Sequence, residues 1–269
     1  YNSLIASSPL ASSPKLDAVV TVVDALRLRD EFISQLSTLN SQLLPTDDLA
    51  SLVIEQIEFC NVILLNKVSE VSHEECEHIR AILRAIQPKA KIIDCDYCDI
   101  PFGEILDTEL FSFDEVATSA TWIQKVEGEL EDEHHHHHHD CHEHNHGDAY
   151  GISTFFYYRR QPMDLNRFDE FVARYWPKGV IRCKGMCYFK EEYDMCYVFE
   201  QAGSQFNLKQ VGNFYATMPE EELTQLMARD ALLQRDWDEQ YGDRMQKLVF
   251  IGQHLDKDKI CEALDKCLV

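Results

Sequence analysis

Short apolar runs alternate with helical periodicities over the first hundred residues. Continuous, β-branched or aliphatic runs stand at residues 18–23 and 62–65, and a short third strand is indicated at 90–93. Runs this short and unbroken are typical of strands buried on both faces, as in a parallel sheet. A helical pattern at residues 48–59 separates the first run from the second. The alternation of strand and helix predicts an α/β fold for this part of the chain.

A second helix is predicted between the second and third strands. Ser72 stands three residues before Glu75, which is the spacing of a capping box at a helix N-terminus. Gln87 precedes Pro88, which disfavours further helix. The apolar positions between them recur at helical spacing and predict the buried face: Cys76, Ile79, Ile82, Leu83 and Ile86.

From residue 150 onward the pattern predicts a small α+β domain. Apolar and aromatic runs indicate strands at 152–158, 180–189, 195–200 and 248–252. Amphipathic segments indicate helices at 166–175, 220–237 and 258–268. In the strand at 180–189, we interpret Arg182 and Lys184 as polar positions that face water on a half-buried strand. The alternative is a surface that senses a client protein or a nucleotide.

The segment 127–148 interrupts both patterns. It contains eight acidic residues, nine histidines, one cysteine and no lysine or arginine, without apolar periodicity. We therefore divide the chain into an α/β domain at 1–126, a linker at 127–149 and the α+β domain at 150–269.

The linker has the chemistry of a metal-binding segment. Imidazole suits Zn, Cu and Ni, and thiolate favours Zn or Cu(I). An expression tag is the alternative, but tags stand at chain ends and this run lies mid-chain. Redundant ligands on an exposed segment suit the capture, buffering or hand-over of a metal better than catalysis, which needs a rigid site. The candidate ligands are His134, His135, His136, His137, His138, His139, Cys141, His142, His144 and His146.

Composition argues against a nucleic-acid partner, a membrane helix and a signal peptide. The 269 residues carry 25 Lys and Arg against 47 Asp and Glu, a net charge of −22, and no basic stretch, which argues against a nucleic-acid partner. No apolar run approaches the ~18 residues that a membrane helix needs. Residues 1–14 lack a charged n-region, so we expect no signal peptide and a chain that is a fragment of a longer one.

Ten cysteines are too few for a disulfide scaffold and indicate a reduced, cytoplasmic protein. Cys95 and Cys98 form a single C-x-x-C, which is a weak metal or redox signal. The aspartates beside them should raise the pKa of both thiols and so disfavour a reactive thiolate.

Asn66 and Lys67 follow the second predicted strand directly. Ligands of open α/β sheets bind at the carboxyl ends of strands. In the N-K-x-D pattern of guanine-binding proteins, the Asn side chain forms hydrogen bonds with the edge of the base and the Lys stem packs over its face. The Asp carboxylate accepts hydrogen bonds from two guanine N–H groups. Here the fourth position is Ser69, whose hydroxyl cannot replace a bidentate carboxylate. No glycine of the chain begins a phosphate-binding G-x-x-x-x-G-K-[ST] loop.

Several segments together resemble the CobW-type metallochaperone GTPases. The matching segments of the first domain are LDAVVTVVDA at 16–25, QIEFCNVILLNKVS at 56–69 and LDTELFSFDEVATSATWI at 106–123. Those of the second are YGISTFFYY at 150–158, WPKGVIRCKGMCY at 176–188, QAG at 201–203 and LVFIGQH at 248–254. The His-rich linker stands where the family carries one.

The resemblance implies a partial doubly wound P-loop GTPase domain followed by a CobW C-terminal domain. In the intact protein, it implies GTP with Mg(II) as cofactor and hydrolysis coupled to the delivery of Zn or another transition metal to a client metalloprotein. Carried over by position, Asn66, Lys67 and Ser69 would lie at the nucleotide. The P-loop, the Walker B region and the family's C-x-C-C metal motif are absent from these residues, so we expect no GTP hydrolysis by this chain alone. A nucleotide-independent module for metal buffering or partner binding is the alternative.

Overall fold

The computed structural model describes residues 16–30, 49–112 and 150–269. The first part contains three parallel strands in the order β1-β2-β3. These are β1 (Val20–Asp24), β2 (Val62–Asn66) and β3 (Lys91–Cys95). The strands and their parallel pairing confirm the α/β prediction for this domain.

Three helices connect and cover this sheet. They are α1 (Ala25–Leu28), α2 (Leu49–Glu58) and α3 (His73–Ile86). The capping box is present: Glu75 N–H donates to Ser72 Oγ at 3.2 Å, and Ser72 N–H donates to Glu75 Oε2 at 2.8 Å. All five apolar positions predicted for the inner face of α3 are buried.

The prediction that the first strand is buried on both faces is wrong. Val22 is 53% exposed, whereas Thr21 and Val23 on the other face are buried. The central strand β2 pairs on both edges and buries its four apolar residues. β1 pairs only with β2, and no described element covers Val22.

The second part is an antiparallel sheet of five strands with helices, which confirms the α+β prediction. Its order is β4-β8-β5-β6-β7. The strands are β4 (Ile152–Arg159), β5 (Val180–Cys187), β6 (Met195–Ala202), β7 (Gln205–Asn213) and β8 (Gln246–Gln253). The helices are α4 (Leu165–Arg174), α5 (Glu220–Met227), α6 (Ala231–Arg235) and α7 (Lys257–Asp265).

The sequence pattern was wrong in two places within this domain. The single helix expected at 220–237 is two helices, because the chain turns after α5 and Asp230 Oδ1 accepts the Leu233 N–H at 3.0 Å, which caps a new helix. The strand β7 was not predicted at all. Its nine residues are all exposed, and its alternating signal is short, with Phe206 and Leu208 between polar residues; Phe206 contacts Trp176 and Phe199.

The five-stranded sheet is covered on both faces over its central strands β5 and β8, whereas β7 is exposed. One face packs on α4 and α7 in an aromatic core that includes Phe168, Phe199 and Phe250. The other faces the first domain, where Ile152 and Ala202 join the same buried cluster as residues of α2 and α3. The Ser51 hydroxyl on α2 also donates to the Ala202 carbonyl at 2.6 Å.

Arg182 and Lys184 correct the interpretation made from the sequence. They do not face water: their side chains are 2% and 3% exposed, and both contact the buried carboxylate of Glu58 at the end of α2. The strand was assumed to have one face in solvent, but α2 covers that face. The three side chains form a buried ion cluster between the two domains, and a sensing surface at Arg182 and Lys184 has no free side chain to use.

No described helix is long and apolar enough to cross a membrane. The predicted metal ligands at 134–146, and the whole linker at 127–149, lie outside the described residues.

Candidate functional site

The carboxyl ends of the three parallel strands form one edge of the sheet. Asp24 pairs in register with Asn66, and Asn66 pairs with Cys95. Residues that follow these positions therefore meet at the same edge, where open α/β sheets bind ligands. We call this group of Asp24, Asn66, Lys67, Ser69 and the loop 96–98 the strand-end site.

Asn66 has its amide orientation fixed by the loop after β3. Its Oδ1 accepts the Cys98 N–H at 3.0 Å and lies 3.8 Å from the Cys95 sulfur, which donates to it. Its Nδ2 makes no hydrogen bond to any residue that the structure describes. Because the oxygen is held by protein, the two amide N–H groups are the part of Asn66 that a ligand can use.

Lys67 occupies the left-handed region, with φ 62° and ψ 36°. This conformation is uncommon for a residue with a Cβ and marks a backbone held by its surroundings. The Lys67 ammonium lies 2.7 Å from Asp24 Oδ2, and this hydrogen bond raises the pKa of Lys67. The extended lysine stem is thereby laid across the ends of β1 and β2.

Asp24 joins the first strand to this arrangement. Its Oδ1 accepts the Arg27 N–H at 3.1 Å and caps α1, while its Oδ2 holds Lys67. Partial burial raises the pKa of Asp24, but the hydrogen bonds from Lys67 and Arg27 outweigh that cost and leave the pKa below its usual value. The carboxylate is therefore ionised at neutral pH.

Ser69 and Asp96 form a tight pair across the strand-end site. The Ser69 N–H and the Ser69 hydroxyl both donate to Asp96 Oδ1, at 3.1 Å and 2.9 Å. Asp96 is the first residue after β3, so the parallel register places it beside the residues that follow Asn66. The Asp96 carboxylate thus lies beside Ser69, the position that carries only a hydroxyl in this sequence.

The loop that carries Asp96 has an unusual backbone and an exposed ring. Tyr97 and Cys98 both have positive φ, 56° and 55°. Tyr97 is 95% exposed, and its charge interaction with Lys67 contributes to the raised pKa of that lysine. An aromatic ring this exposed is available for stacking on a flat ligand.

Cys95 and Cys98 do not form a metal centre with their neighbours in the described parts. Both thiols are free, and burial raises the pKa of Cys95, with smaller effects from Cys98 and Asp96. For Cys95 the direction is the predicted one, but its main cause is burial and the adjacent Asp96 contributes least. Among the residues that the structure describes, no group of three or more His, Cys, Asp or Glu side chains is arranged to hold a metal ion.

The structure brings the three predicted nucleotide residues together and adds two that the sequence reasoning missed. Asn66, Lys67 and Ser69 lie at one strand end, as their adjacency required. Asp24 and Asp96 were not considered, although each ends or directly follows a strand by the same rule that singled out Asn66. Asp24 is the last residue of β1 and Asp96 is the first residue after β3. The binding of ligands at the carboxyl ends of strands therefore identifies both positions from the sequence.

Two family models match the chain. The model "CobW/HypB/UreG, nucleotide-binding domain" matches residues 2–94, and "Cobalamin synthesis protein cobW C-terminal domain" matches residues 152–268. The first match ends within β3 and the second begins with β4, so the loop 96–98 and the His-rich segment lie between them.

A curated relative and two solved structures give further comparisons. The chain is 30% identical over 262 residues to Zinc-regulated GTPase metalloprotein activator 1 of Dictyostelium discoideum. That alignment covers 95% of this chain and 52% of the relative, so the chain spans about half the relative's length. The Zn(II)-bound YjiA GTPase from E. coli and a Zn(II)-bound triple mutant of YjiA are each 16% identical, with TM-scores of 0.35 and 0.37. Each structural alignment covers 100% of this chain and 66% of the other.

Proposed function

Since the chain belongs to the CobW family, with segments of both its nucleotide-binding domain and its C-terminal domain, we propose that it acts as part of a metallochaperone-type GTPase. In the intact protein, GTP binding and hydrolysis drive delivery of Zn(II) or another transition metal to a client metalloprotein. The relative in Dictyostelium, named as a zinc-regulated GTPase and metalloprotein activator, supports zinc as the first metal to test.

The observation that carries the nucleotide part of this proposal is the strand-end site. Asn66 presents amide N–H groups with no partner in the described residues, and guanine offers N7 and O6 as acceptors on one edge. We assign the stem of Lys67, held by Asp24, and the exposed ring of Tyr97 to contacts with the faces of the base. The side chains present therefore fit a guanine base.

The phosphate end of GTP is not provided by these residues. No G-x-x-x-x-G-K-[ST] loop occurs in the chain, and such a loop supplies both the phosphate amides and the hydroxyl for Mg(II). We assign to this chain the base-binding part of the nucleotide site. Hydrolysis of Mg(II)-bound GTP then requires a phosphate-binding loop that these 269 residues do not contain.

The metal part of the proposal rests on the linker. The predicted ligands from His134 to His146 combine imidazole and one thiol within an acidic segment that attracts cations. Exchange among redundant ligands suits capture and hand-over. Protonation of imidazole near its pKa of ~6.5 releases the metal, so retention should fall between pH 7.5 and 5.5.

Equilibrium dialysis against Zn(II) tests the metal assignment. The wild-type chain is compared with a variant in which the nine linker histidines are replaced by Gln and Cys141 by Ser. This variant keeps the length and the acidity of the segment, so a loss of bound Zn(II) is attributable to the imidazole and thiol groups. Equal zinc content in both proteins would overturn the assignment.

A second candidate function is a metal-buffering or partner-binding module that uses no nucleotide. Its metal ligands would be those of the linker, at residues 134–146, which need no nucleotide to bind a metal. Titration with guanine nucleotides separates the two candidates, since the buffering module retains zinc and shows no base preference.

We place the protein in the cytoplasm. The nine cysteines within the described residues are free, and seven of them are buried, as expected in a reducing compartment.

A further inference from the structure

We propose that Asp96, held in place by Ser69, supplies the carboxylate that selects guanine at the strand-end site. This inference rests on the proposed nucleotide function. Selection of guanine over adenine requires acceptors for the guanine N1–H and exocyclic N–H, and the fourth residue of the Asn-Lys motif here is Ser69, a hydroxyl. The structure places a second group, Asp96, directly against that hydroxyl.

The placement of Asp96 follows from the sheet and from the loop. Asn66 and Cys95 are paired in register on β2 and β3, so Asp96 leaves β3 next to the turn that carries Ser69. Two hydrogen bonds from Ser69 fix the carboxylate. A third bond fixes the loop from its other side, because Cys98 N–H donates to Asn66 Oδ1. The loop is thus tied both to the Asn that reads one base edge and to the Ser at the fourth position.

The pair retains the acceptors that guanine needs. Asp96 Oδ1 takes both bonds from Ser69, and Oδ2 makes no hydrogen bond to any described residue. The Ser69 hydroxyl donates its hydrogen bond to Asp96, so the lone pairs of its oxygen remain available as acceptors. A negatively charged oxygen and a polarised hydroxyl oxygen then stand side by side. Adenine offers an acceptor and no donor at N1, so the same pair disfavours it.

The arrangement also explains how Ser69 is tolerated at this position. An aspartate there would place two carboxylates within hydrogen-bond distance of each other at the end of the sheet, which is unfavourable for both. With Ser69, the position contributes two donors, the amide and the hydroxyl, and both are used on Asp96. The strand-end site therefore still contains a carboxylate, which follows β3 and not β2.

An exchange of base specificity tests the proposal. Xanthine carries a carbonyl where guanine has its amino group, so an amide at position 96 can donate to xanthine where the carboxylate accepted from guanine. Binding of guanosine, xanthosine and adenosine to the full chain is measured by saturation-transfer NMR at millimolar concentration, because free nucleosides need no phosphate loop. The preference for guanosine over xanthosine should fall about tenfold or reverse in Asp96→Asn.

Asp99→Asn is the matched control, since Asp99 is an exposed acid three residues along the same loop. It should leave the preference unchanged. The double variant Ser69→Asp with Asp96→Ser exchanges the two groups and should keep guanosine preferred. Unchanged circular dichroism establishes that each variant is folded.

The outcomes distinguish the role of Asp96 from the proposed nucleotide binding on which it depends. A wild-type chain with no preference for guanosine over adenosine overturns the nucleotide function itself. If the wild-type chain prefers guanosine but Asp96→Asn keeps that preference in full, the role of Asp96 is wrong and the nucleotide function stands. An equal loss in Asp99→Asn would also contradict the role given to Asp96.

Discussion

Removal of Glu58 is the sharpest perturbation of the contact between the two domains. Its carboxylate lies at the end of α2, with its side chain 0% exposed, and binds Arg182 and Lys184 of β5. Glu58→Ala leaves the buried side chains of Arg182 and Lys184 without this carboxylate. The variant isolates the cluster, because Glu58 is the only one of the three that belongs to the first domain.

The expected loss in the free energy of unfolding depends on which hydrogen bonds and ion pairs Arg182 and Lys184 retain without Glu58. Arg182 donates through Nη2 to Glu58 Oε2 at 3.0 Å and makes a second bond from Nε to Oε1; without Glu58 its guanidinium retains the Gln201 carbonyl at 3.0 Å. Lys184 lies 3.4 Å from Glu58 Oε2 and 3.3 Å from the half-buried Glu200, so it keeps one carboxylate. Breaking a buried pair by removing one partner costs about 3–5 kcal/mol, and the dependence of Arg182 on Glu58 places this variant within that range.

Urea denaturation followed by circular dichroism gives the free energy of unfolding. Glu55→Ala is the control, because Glu55 is exposed on the same helix and its removal should change that free energy by less than about 0.5 kcal/mol. A triple variant, Glu58→Leu with Arg182→Met and Lys184→Met, should recover most of the loss, since apolar groups of similar volume commonly replace a buried ion cluster without penalty. A loss below about 1 kcal/mol for Glu58→Ala would refute the reasoning.

Three further predictions concern local structure. Ser72→Ala removes the cap of α3 and should lower the free energy of unfolding by about 1 kcal/mol in the same urea assay; no change would contradict the capping role. Gly185→Ala would place a Cβ 2.0 Å from the Lys247 carbonyl, so it should destabilise the chain by about 3 kcal/mol or fail to fold; a wild-type midpoint would refute the close approach. Cys98 is exposed, whereas burial raises the pKa of Cys183 well above its usual value, so brief iodoacetamide treatment should modify Cys98 first in peptide mass mapping; equal labelling of both in the native chain would contradict the burial.

Local signals in the sequence were sufficient for the capped amphipathic helix α3 and for the continuous apolar strand β2. The helix α3 is the clearest example, because its capping box and five inward residues are set by contacts within a few residues of each other. The strand β2 was equally readable from its apolar run, since a central strand buries both faces.

Contacts between distant residues were not readable in the same way. Ser69 and Asp96 are 27 residues apart, and Glu58 and Arg182 are 124 apart, so no local pattern links either pair. The error at Arg182 has a definite cause: a strand with alternating polar residues normally has one face in solvent, and only the packing of α2 on that face makes the residues buried. The strand β7 was not predicted because its alternation is confined to Phe206 and Leu208, too short a pattern to indicate a strand of nine residues.

The guanine-binding role of the strand-end site is tested most directly by adding guanosine or adenosine to the 15N-labelled chain and recording backbone amide shifts. The amides of Ser69 and Cys98 report on the site, because they donate to Asp96 and to Asn66. We predict that guanosine shifts both amides, that adenosine shifts them much less, and that Asn66→Ala abolishes the difference. Equal shifts with the two nucleosides, or none with either at millimolar concentration, would contradict the assignment of this strand end as a guanine site.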